Sequence, residues 1–589
     1  MDLPSAEKEK SPRIGTLIEK ILEFEFRRPS AFTIGMALAV LVGIASGLGA
    51  VAFRYLIDFF HGFFFGTLQG WISWLGPAAV IPIPAIGGIV VGLLVYHGAR
   101  EAKGHGVPEV MLAVARAGGR IRGRVSVVKA LASSICIGSG GSVGREGPIV
   151  QIGSSAASFM AQRFGVGENW IRVLVACGAA GGISATFNTP IAGVFFALEV
   201  ILGTFSVQYF GTVVLSSVTA DVVSRSFLGN VVAFDVPPYA LKSYWELIPY
   251  AFLGILAAFL AKAFVRSLYF AEDTFDRNKA IPEYIKPALG GLALGIIGIF
   301  TPRVFGVGYE GISAALDGEI GLILLLSLVF LKIFATSLTL GSGGSGGVFA
   351  PSLFIGAMAG TAFGTVIHSV FPGISGPAGG YGLAGMAAVF SGAAWAPITA
   401  ILMIFEMTQD YSLILPLMLT VVVSTGMSHF LMRENIYSLK LARRGIDLRR
   451  IRRADPADAV RIKQVMAEGY PTVKTDFLAK DLPSEFERLR VHGLPVMDAE
   501  GNLEGVVTAT DVERALLEGS DTATVGEIAS RSLVVAHPDQ TLGEMMETLG
   551  AQDVGYIPVV DPQQPKRFLG MVRRQDIIRA YAKSKGRGT

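Results

Sequence analysis

Charged residues are scarce in this chain, and their longest absence is informative. Asp, Glu, Lys and Arg make up 16% of the 589 residues, and none occurs from Ile333 to Phe405. Because about 20 apolar residues are enough for one spanning helix, this stretch must hold several spanning or buried segments. Other apolar runs are short or interrupted by Gly and Pro, which predicts tilted, partial or re-entrant membrane helices.

Cysteine and histidine are also few. Cys136 and Cys177 lie in apolar surroundings, which favours free thiols over a disulfide framework. The seven histidines show no HExxH spacing and GSGGSVGREG lacks a GK[ST] ending, so we expect neither a metal site nor an enzyme. A net charge of +3 gives no indication of a nucleic-acid partner. The first thirty residues lack the apolar core of a cleavable signal peptide.

Two glycine-rich segments recur at an offset of 203. Residues 138–148 read GSGGSVGREGP and residues 341–351 read GSGGSGGVFAP. Glycine lets the backbone approach a bound group closely, and a helix N-terminus offers unpaired N–H donors to an anion. Two such termini facing each other within a membrane would form an ion pathway.

The repeat extends beyond these segments. Residues 178–199 run parallel to residues 385–406, with Pro190 over Pro397 and Glu199 over Glu406. Internal symmetry with interrupted apolar segments is typical of transporters whose site lies at the midplane between repeats. The alternative is that small residues recur only because they pack membrane helices. The pattern favours an all-α polytopic membrane protein built from two repeats of tilted and broken helices.

The composition changes near residue 447. A cluster of basic residues lies around this change and predicts that the C-terminal part is on the cytosolic side. Its members are Lys440, Arg443, Arg444, Arg449, Arg450, Arg452 and Arg453. Beyond it, residues 492–516 resemble residues 554–581, each with two short strands and a helix opened by an aspartate. This predicts a tandem α/β module with about 60 residues per copy.

Five motifs occur in the order of a known family. GHGVPE (104–109), GREGP (144–148), FNTPIAG (187–193), GGVFAP (346–351) and Tyr437 together resemble the CLC family of chloride channels and proton/chloride exchangers. The tail resembles a pair of cystathionine-β-synthase (CBS) domains. The resemblance implies a homodimer in a plasma or inner membrane, with chloride as the transported ion and no required cofactor. The resemblance divides the chain into a cytosolic segment 1–30, a transport domain 31–446, a linker 447–459 and a CBS region 460–585. The transport domain consists of two inverted halves, 31–225 and 244–432. The CBS region holds two domains, 460–518 and 522–583.

The resemblance also assigns roles to residues. Glu146 matches the gating glutamate, whose carboxylate competes with a halide for helix N-terminal amides and leaves when protonated. Other anion-binding positions follow from the motifs: His105, Gly106, Arg145, Gly147, Val348, Phe349 and the Tyr437 hydroxyl. Structural alternatives are a capping role for Glu146, pairing of Arg145 with a carboxylate, and a core position for Tyr437.

Two positions depart from the family pattern. His105 stands where many members have a serine that donates its hydroxyl to the anion, and its side chain either lines the pathway or points away. Val200 stands where exchangers have an inner proton-relaying glutamate. We therefore predict a passive channel, with a proton-coupled antiporter as the alternative. In that alternative either Glu199 or water carries the proton. The overlay of Glu199 with Glu406, however, suggests a structural role for Glu199.

The tail resembles nucleotide-binding CBS modules. In GVVTATD (505–511), Thr508 matches the phosphate position and Asp511 the ribose position. The second copy keeps Asp576 but has Arg573 in place of the threonine, which favours one adenine-nucleotide site, for ATP or AMP, over two. Pairs without a nucleotide serve as dimer contacts. A membrane sensor that signals through this tail is a further alternative to transport.

Overall fold

A computed structural model describes residues 31–205, 207–230, 239, 241–448, 451, 460–518, 522–551 and 554–584. The predicted N-terminal segment 1–30 and most of the predicted linker, residues 449, 450 and 452–459, lie outside the described residues. The described residues form two compact units, one up to residue 451 and one from residue 460 on.

The first unit is helical throughout, and its two halves repeat the same series. In the first half the principal helices are Ala31–His61, Pro82–His97, Val107–Arg116, Arg124–Gly138, Glu146–Arg163, Glu168–Phe187, Pro190–Phe196 and Val207–Leu228. In the second half they are Leu247–Arg277, Lys286–Phe300, Tyr309–Leu316, Leu322–Gly341, Phe349–Val370, Ala378–Ala394, Pro397–Thr408 and Ile414–Leu431, followed by Ser438–Arg443. A π-helical segment, Ala197–Leu202, extends Pro190–Phe196.

Several of these helices can cross a membrane. Among the described residues six are long and apolar enough, and seven if Ser73–Val80 and Pro82–His97, bent by 67°, count as one span. Shorter apolar helices include Pro190–Leu202, Lys286–Phe300 and Pro397–Thr408. This mixture of full and partial spans confirms the predicted polytopic architecture of broken helices.

The breaks between helices follow from local chemistry that both halves share. The chain turns at Asn188 (φ 63°) and at Trp395 (φ 56°), two left-handed residues that end a helix at equivalent positions. Pro190 and Pro397 then begin the next helix, where a missing N–H has no consequence. The aligned prolines of the sequence therefore mark the start of equivalent short helices.

Glycines bring the long helices into backbone contact. A Cβ at Gly153 would lie 2.2 Å from the carbonyl oxygen of Gly178, and a Cβ at Gly356 would lie 2.2 Å from that of Gly385. Helix Glu146–Arg163 thus packs closely on Glu168–Phe187, as Phe349–Val370 does on Ala378–Ala394. Close helix packing explains Gly153 and Gly356. It does not explain Gly144 and Gly347 of the two glycine-rich segments, whose backbones contact each other directly.

The two glycine-rich segments form an antiparallel bridge at equivalent residues. Gly144 N–H donates to Gly347 O over 2.8 Å, and Gly347 N–H donates to Gly144 O over 2.6 Å. Gly144 and Gly347 are equivalent residues of the repeat, and their strands run in opposite directions. The two halves are therefore related by an approximate two-fold axis that passes between these glycines. The halves are therefore inverted with respect to each other, and the N-termini of helices Glu146–Arg163 and Phe349–Val370 lie at this junction.

The second unit contains two three-stranded sheets, and one of them combines strands from both sequence copies. Strands β2 (Val473–Lys474), β3 (Gly493–Met497) and β4 (Leu503–Thr508) form one sheet. The other has β1 (Ala467–Glu468) beside β6 (Gln564–Arg573) and β5 (Tyr556–Asp561). Its helices are Leu482–Leu489, Ala509–Leu517, Val525–Ile528, Leu542–Ala551 and Arg574–Ser584.

The cores of the two copies also combine residues from both. Ile462 packs with Ile557 and Val572 of the second copy. Conversely, Val525 packs with Leu482 and the rest of the first core. The opening residues of each copy thus complete the other, and the unit is the α/β module that the sequence predicts.

Candidate anion site

A narrow cavity lies where the helix N-termini of the two halves meet. Its lining includes six of the predicted site residues: His105, Glu146, Gly147, Val348, Phe349 and Tyr437. Val107, Val150, Ile183 and Phe196 complete it. Gly106 and Arg145 are adjacent in sequence to lining residues but are not part of the lining.

Glu146 is the first residue of its helix, and its side chain is 1% exposed. Tyr309 donates its hydroxyl to Oε1 over 3.0 Å, and the Ala350 N–H approaches Oε2 at 3.3 Å. The first amides of a helix have no partners within it and carry the positive end of the helix dipole. The carboxylate thus occupies donors from the opposite half that could otherwise bind an anion.

Arg145 and the two glycines have different roles at this junction. The Arg145 guanidinium donates to Thr186 O over 3.2 Å and lies over the rings of Phe187 and Tyr309, so hydrogen bonding to a backbone carbonyl and aromatic contacts hold it. Gly106 has φ +77° and precedes helix Val107–Arg116. A Cβ at Gly147 would lie 2.2 Å from His105 O, so only glycine permits this backbone approach.

His105 and Tyr437 face each other across the cavity, with ring centroids 6.0 Å apart. The His105 Nε2 lies 3.4 Å from the Tyr269 hydroxyl, which donates its own proton to Ile436 O over 2.6 Å. The buried Nδ1 has no hydrogen-bond partner among the described residues. The imidazole is part of the cavity wall, which favours the interpretation in which His105 lines the pathway over the one in which it points away.

Two buried lysines support the loops around the site, and neither was predicted from the sequence. Lys129 donates its ammonium to Ala102 O over 3.0 Å and to Gly104 O over 2.6 Å. Lys332 does the same for Val304 O at 3.1 Å and Gly306 O at 3.0 Å. Their separation equals the offset of the glycine-rich segments, so a search for charged residues at that offset would have found them.

Tyr309 is a further site residue that was not predicted from the sequence. It is the first residue of helix Tyr309–Leu316, directly after Gly308, and its ring also contacts that of Phe187 at 6.5 Å. The signal was present in GVGYE (306–310), which occupies the same place in the second half as GHGVPE in the first. The hydroxyl, however, has no counterpart in GHGVPE.

Glu199 and Glu406 cap each other's equivalent helices. Glu199 accepts hydrogen bonds from the Thr399 amide at 2.9 Å, the Thr399 hydroxyl at 2.7 Å and the Ile398 amide at 3.3 Å. Glu406 accepts from the amides of Ile191 at 2.9 Å and Ala192 at 2.7 Å. Each carboxylate thus binds the N-terminus of a helix in the opposite half, and this exchange joins the halves.

Replacing either capping glutamate with glutamine is expected to lower stability by similar amounts. The neutral amide keeps one acceptor but loses the attraction to the helix dipole, which costs roughly 1–2 kcal/mol. Thermal unfolding of purified Glu199→Gln and Glu406→Gln proteins measures this effect. The two variants control for each other, because a proton relay at Glu199 would make only Glu199→Gln alter proton movement.

In the second unit, the predicted nucleotide residues already have partners. Asp511 Oδ2 accepts from the Thr508 amide at 2.9 Å and hydroxyl at 2.7 Å, forming a capping box at helix Ala509–Leu517. Asp576 binds Arg573 through Nε at 2.7 Å and a second guanidinium nitrogen at 3.1 Å. The hydrogen bonds that Arg573 donates to the Asp576 carboxylate raise the pKa of the guanidinium, so it stays charged. A ribose at Asp576 would therefore compete with Arg573.

Comparison with known proteins identifies the family. The sequence model described as voltage gated chloride channel matches residues 87–429, and the CBS domain model matches residues 462–518 and 525–583. A putative ClcB-like chloride channel protein of Ralstonia nicotianae is 33% identical over 426 residues, covering 71% of this chain and 98% of that protein. The chain belongs to the CLC family. CLC-e of Arabidopsis thaliana is 36% identical over 431 residues, covering 67% of this chain and 60% of that one.

Solved CLC structures share the fold. A slow cyanobacterial Cl⁻/H⁺ antiporter superposes with a TM-score of 0.63 at 25% identity, covering 70% of this chain and 97% of that chain. A eukaryotic CLC transporter superposes with a TM-score of 0.61 at 21% identity, covering 92% and 97%, respectively. The protein is therefore an integral membrane protein of a family that transports anions, with a CBS pair attached to the CLC domain.

Proposed function

We propose that this CLC protein is a passive anion channel with chloride as the permeant ion and Glu146 as its gate. The observation that carries the proposal is the composition of the cavity lining. Of the described residues that line the cavity, Glu146 is the one with a carboxylate. Protonation of Glu146 removes the charge that competes with the anion for the Ala350 amide and the Tyr309 hydroxyl. Anions then pass with no obligatory return of a proton to the inner side.

The environment of Val200 supports conduction without coupling. Val200 is 4% exposed and has no group that exchanges protons. The neighbouring Glu199 carboxylate accepts three hydrogen bonds at the N-terminus of helix Pro397–Thr408. These bonds hold the carboxylate in a structural role, and a relay would have to release them in every cycle.

Proton-coupled anion exchange is the second candidate. It is favoured by the cyanobacterial relative of known structure, which is 25% identical and is described as a slow Cl⁻/H⁺ antiporter. The closed site is compatible with either mode, since Glu146 binds amide and hydroxyl donors that a chloride ion could also use. The difference lies in whether Glu146 receives its proton from one side of the membrane or from both.

A chloride gradient is expected to dissipate without driving protons uphill. The measurement uses liposomes loaded with chloride and a pH-sensitive dye, at symmetric pH and with the membrane potential clamped by potassium and valinomycin. Empty liposomes control for leak. Sustained proton movement that follows the chloride gradient would replace the channel proposal with exchange. The absence of anion flux from folded protein would instead support a sensor that signals through its CBS pair.

The remaining assignments follow from the family and the flanking charges. CLC proteins are typically dimers, and we assign a homodimer with one pathway per subunit. The basic residues around Arg443 and Arg444 support a cytosolic location of the CBS pair. The proposed domain boundaries are those of the sequence: 31–446 for transport, 447–459 for the linker, and 460–518 and 522–583 for the CBS copies. An adenine nucleotide at Thr508 and Asp511 would regulate the channel.

A further inference from the structure

The closed gate is held by one side-chain hydrogen bond that the family motifs did not indicate. The Tyr309 hydroxyl lies 3.0 Å from Glu146 Oε1, on the opposite half of the repeat. The Ala350 amide approaches the other carboxylate oxygen at 3.3 Å. A hydrogen bond to an ionised group contributes about 1.5–3 kcal/mol, and a neutral carboxyl accepts the same bond more weakly. Tyr309 therefore favours the ionised, closed state of Glu146.

The donor is fixed independently of the gate. Tyr309 begins its helix after Gly308, which has φ +86°, and a Cβ at Gly308 would lie 2.8 Å from the Phe354 ring. The preceding carbonyls of Val304 and Gly306 are bound by the buried ammonium of Lys332. Because glycine conformation, helix start and lysine contacts hold this loop, the hydroxyl stays in place when the Glu146 side chain leaves.

When Glu146 leaves, the Tyr309 hydroxyl and the Ala350 amide lose the carboxylate that both of them contact. An anion between them could accept a hydrogen bond from each, and hydrogen bonds to a charged acceptor are the strong ones. The Arg145 guanidinium lies 5.2 Å from the Tyr309 ring centroid and adds positive charge. In the first half, Val107 follows Gly106 as Tyr309 follows Gly308, so an equivalent hydroxyl is absent there.

We propose that Tyr309 holds the closed gate through its hydroxyl and becomes a direct ligand of the anion that replaces the Glu146 carboxylate. The inference rests on the proposed gating role of Glu146 and adds to it a residue that tunes both gate opening and anion affinity. A purely structural Tyr309 would act through its ring, which packs against Phe187 and lies beneath Arg145. Tyr309→Phe keeps that ring and removes only the hydroxyl.

The first test measures gating with chloride efflux from liposomes between pH 4.5 and 8.5. Tyr309→Phe is expected to shift the pH of half-maximal flux upward by about one unit, because the ionised gate loses one charge-assisted hydrogen bond. Tyr239→Phe is the matched control, since its buried hydroxyl also donates one hydrogen bond, to Leu316 O at 2.9 Å, away from the cavity. An unchanged half-maximal pH in Tyr309→Phe would overturn its role at the gate.

The second test measures anion binding with the gate removed. Calorimetric titration of chloride into purified Glu146→Ala protein is compared with the double variant Glu146→Ala/Tyr309→Phe. The double variant is expected to bind chloride about tenfold more weakly, as follows from the loss of one hydrogen bond to a charged ligand. Equal affinities would overturn the ligand role. This titration needs no flux, so it decides the role of Tyr309 even if the liposome assay shows that the protein does not conduct.

Discussion

Glu146→Ala is expected to raise chloride flux at pH 7.5 by about tenfold or more and to abolish its dependence on pH. The carboxylate accepts one hydrogen bond from Tyr309 and one from Ala350, and in the proposed gate these bonds hold the site closed. Hydrogen bonds to an ionised group contribute about 1.5–3 kcal/mol each, and 1.4 kcal/mol corresponds to a factor of ten. Removing the side chain makes these donors permanently available to the anion.

Two further variants isolate the charge of the gate. Glu146→Gln keeps the shape of the side chain but is neutral, so its flux should also be independent of pH, at a level between wild type and Glu146→Ala. Glu310→Gln is the matched control, because this exposed carboxylate is adjacent to Tyr309 yet does not line the cavity. Loss of flux in a folded Glu146→Ala protein would contradict the gating role.

Lys129→Met and Lys332→Met are each expected to destabilise the transport domain by roughly 2–6 kcal/mol. Both ammonium groups are fully buried and donate to two loop carbonyls, and each buried carbonyl left unpaired costs about 1–3 kcal/mol. In Lys129→Met the Ala102 carbonyl keeps the Ser345 hydroxyl and the Gly104 carbonyl keeps the Gly346 N–H, so its loss should lie at the lower end of this range. Methionine keeps much of the volume, so the loss reflects missing hydrogen bonds rather than a cavity. Thermal unfolding of purified protein in detergent provides the measurement.

The lysine variants also test the symmetry of the repeat. Because Lys129 and Lys332 occupy equivalent positions, both variants should be less stable than the wild type, and both should weaken chloride binding through the loss of positive charge near the cavity. Lys279→Met provides a control, since Lys279 is exposed just after helix Leu247–Arg277 and should change neither property. Unfolding temperatures equal to wild type would show that the loop carbonyls find other donors.

The sequence predicted the parts of the site that consist of contiguous motifs. GREGP and GGVFAP place Glu146, Val348 and Phe349 at helix N-termini, because glycine and proline determine local backbone geometry. The repeat offset likewise predicted that equivalent helices exist in both halves. The apolar composition was sufficient to indicate the membrane, since the uncharged stretch is several times longer than one spanning helix needs.

Partners that are distant in sequence were not predictable in the same way. Tyr309 and Glu146 are 163 residues apart, and Lys332 binds carbonyls whose positions depend on a loop conformation. A buried lysine inside an apolar helix carries no local sign of its acceptors. The overlay of Glu199 with Glu406 suggested a structural role, but the exchange of their helix caps became visible only once the two halves were packed.

The strand that the first CBS copy contributes to the second sheet has a consequence for synthesis of the chain. Residues 467 and 468 leave the ribosome well before their neighbour in the sheet, β6, which spans Gln564–Arg573. The pair therefore cannot finish folding until β6 has emerged. A transcript truncated after residue 518 would yield a first copy without the segment around Val525 and a β1 with no sheet to join. Neither sequence copy is thus a complete domain by itself, and the two form one folding unit.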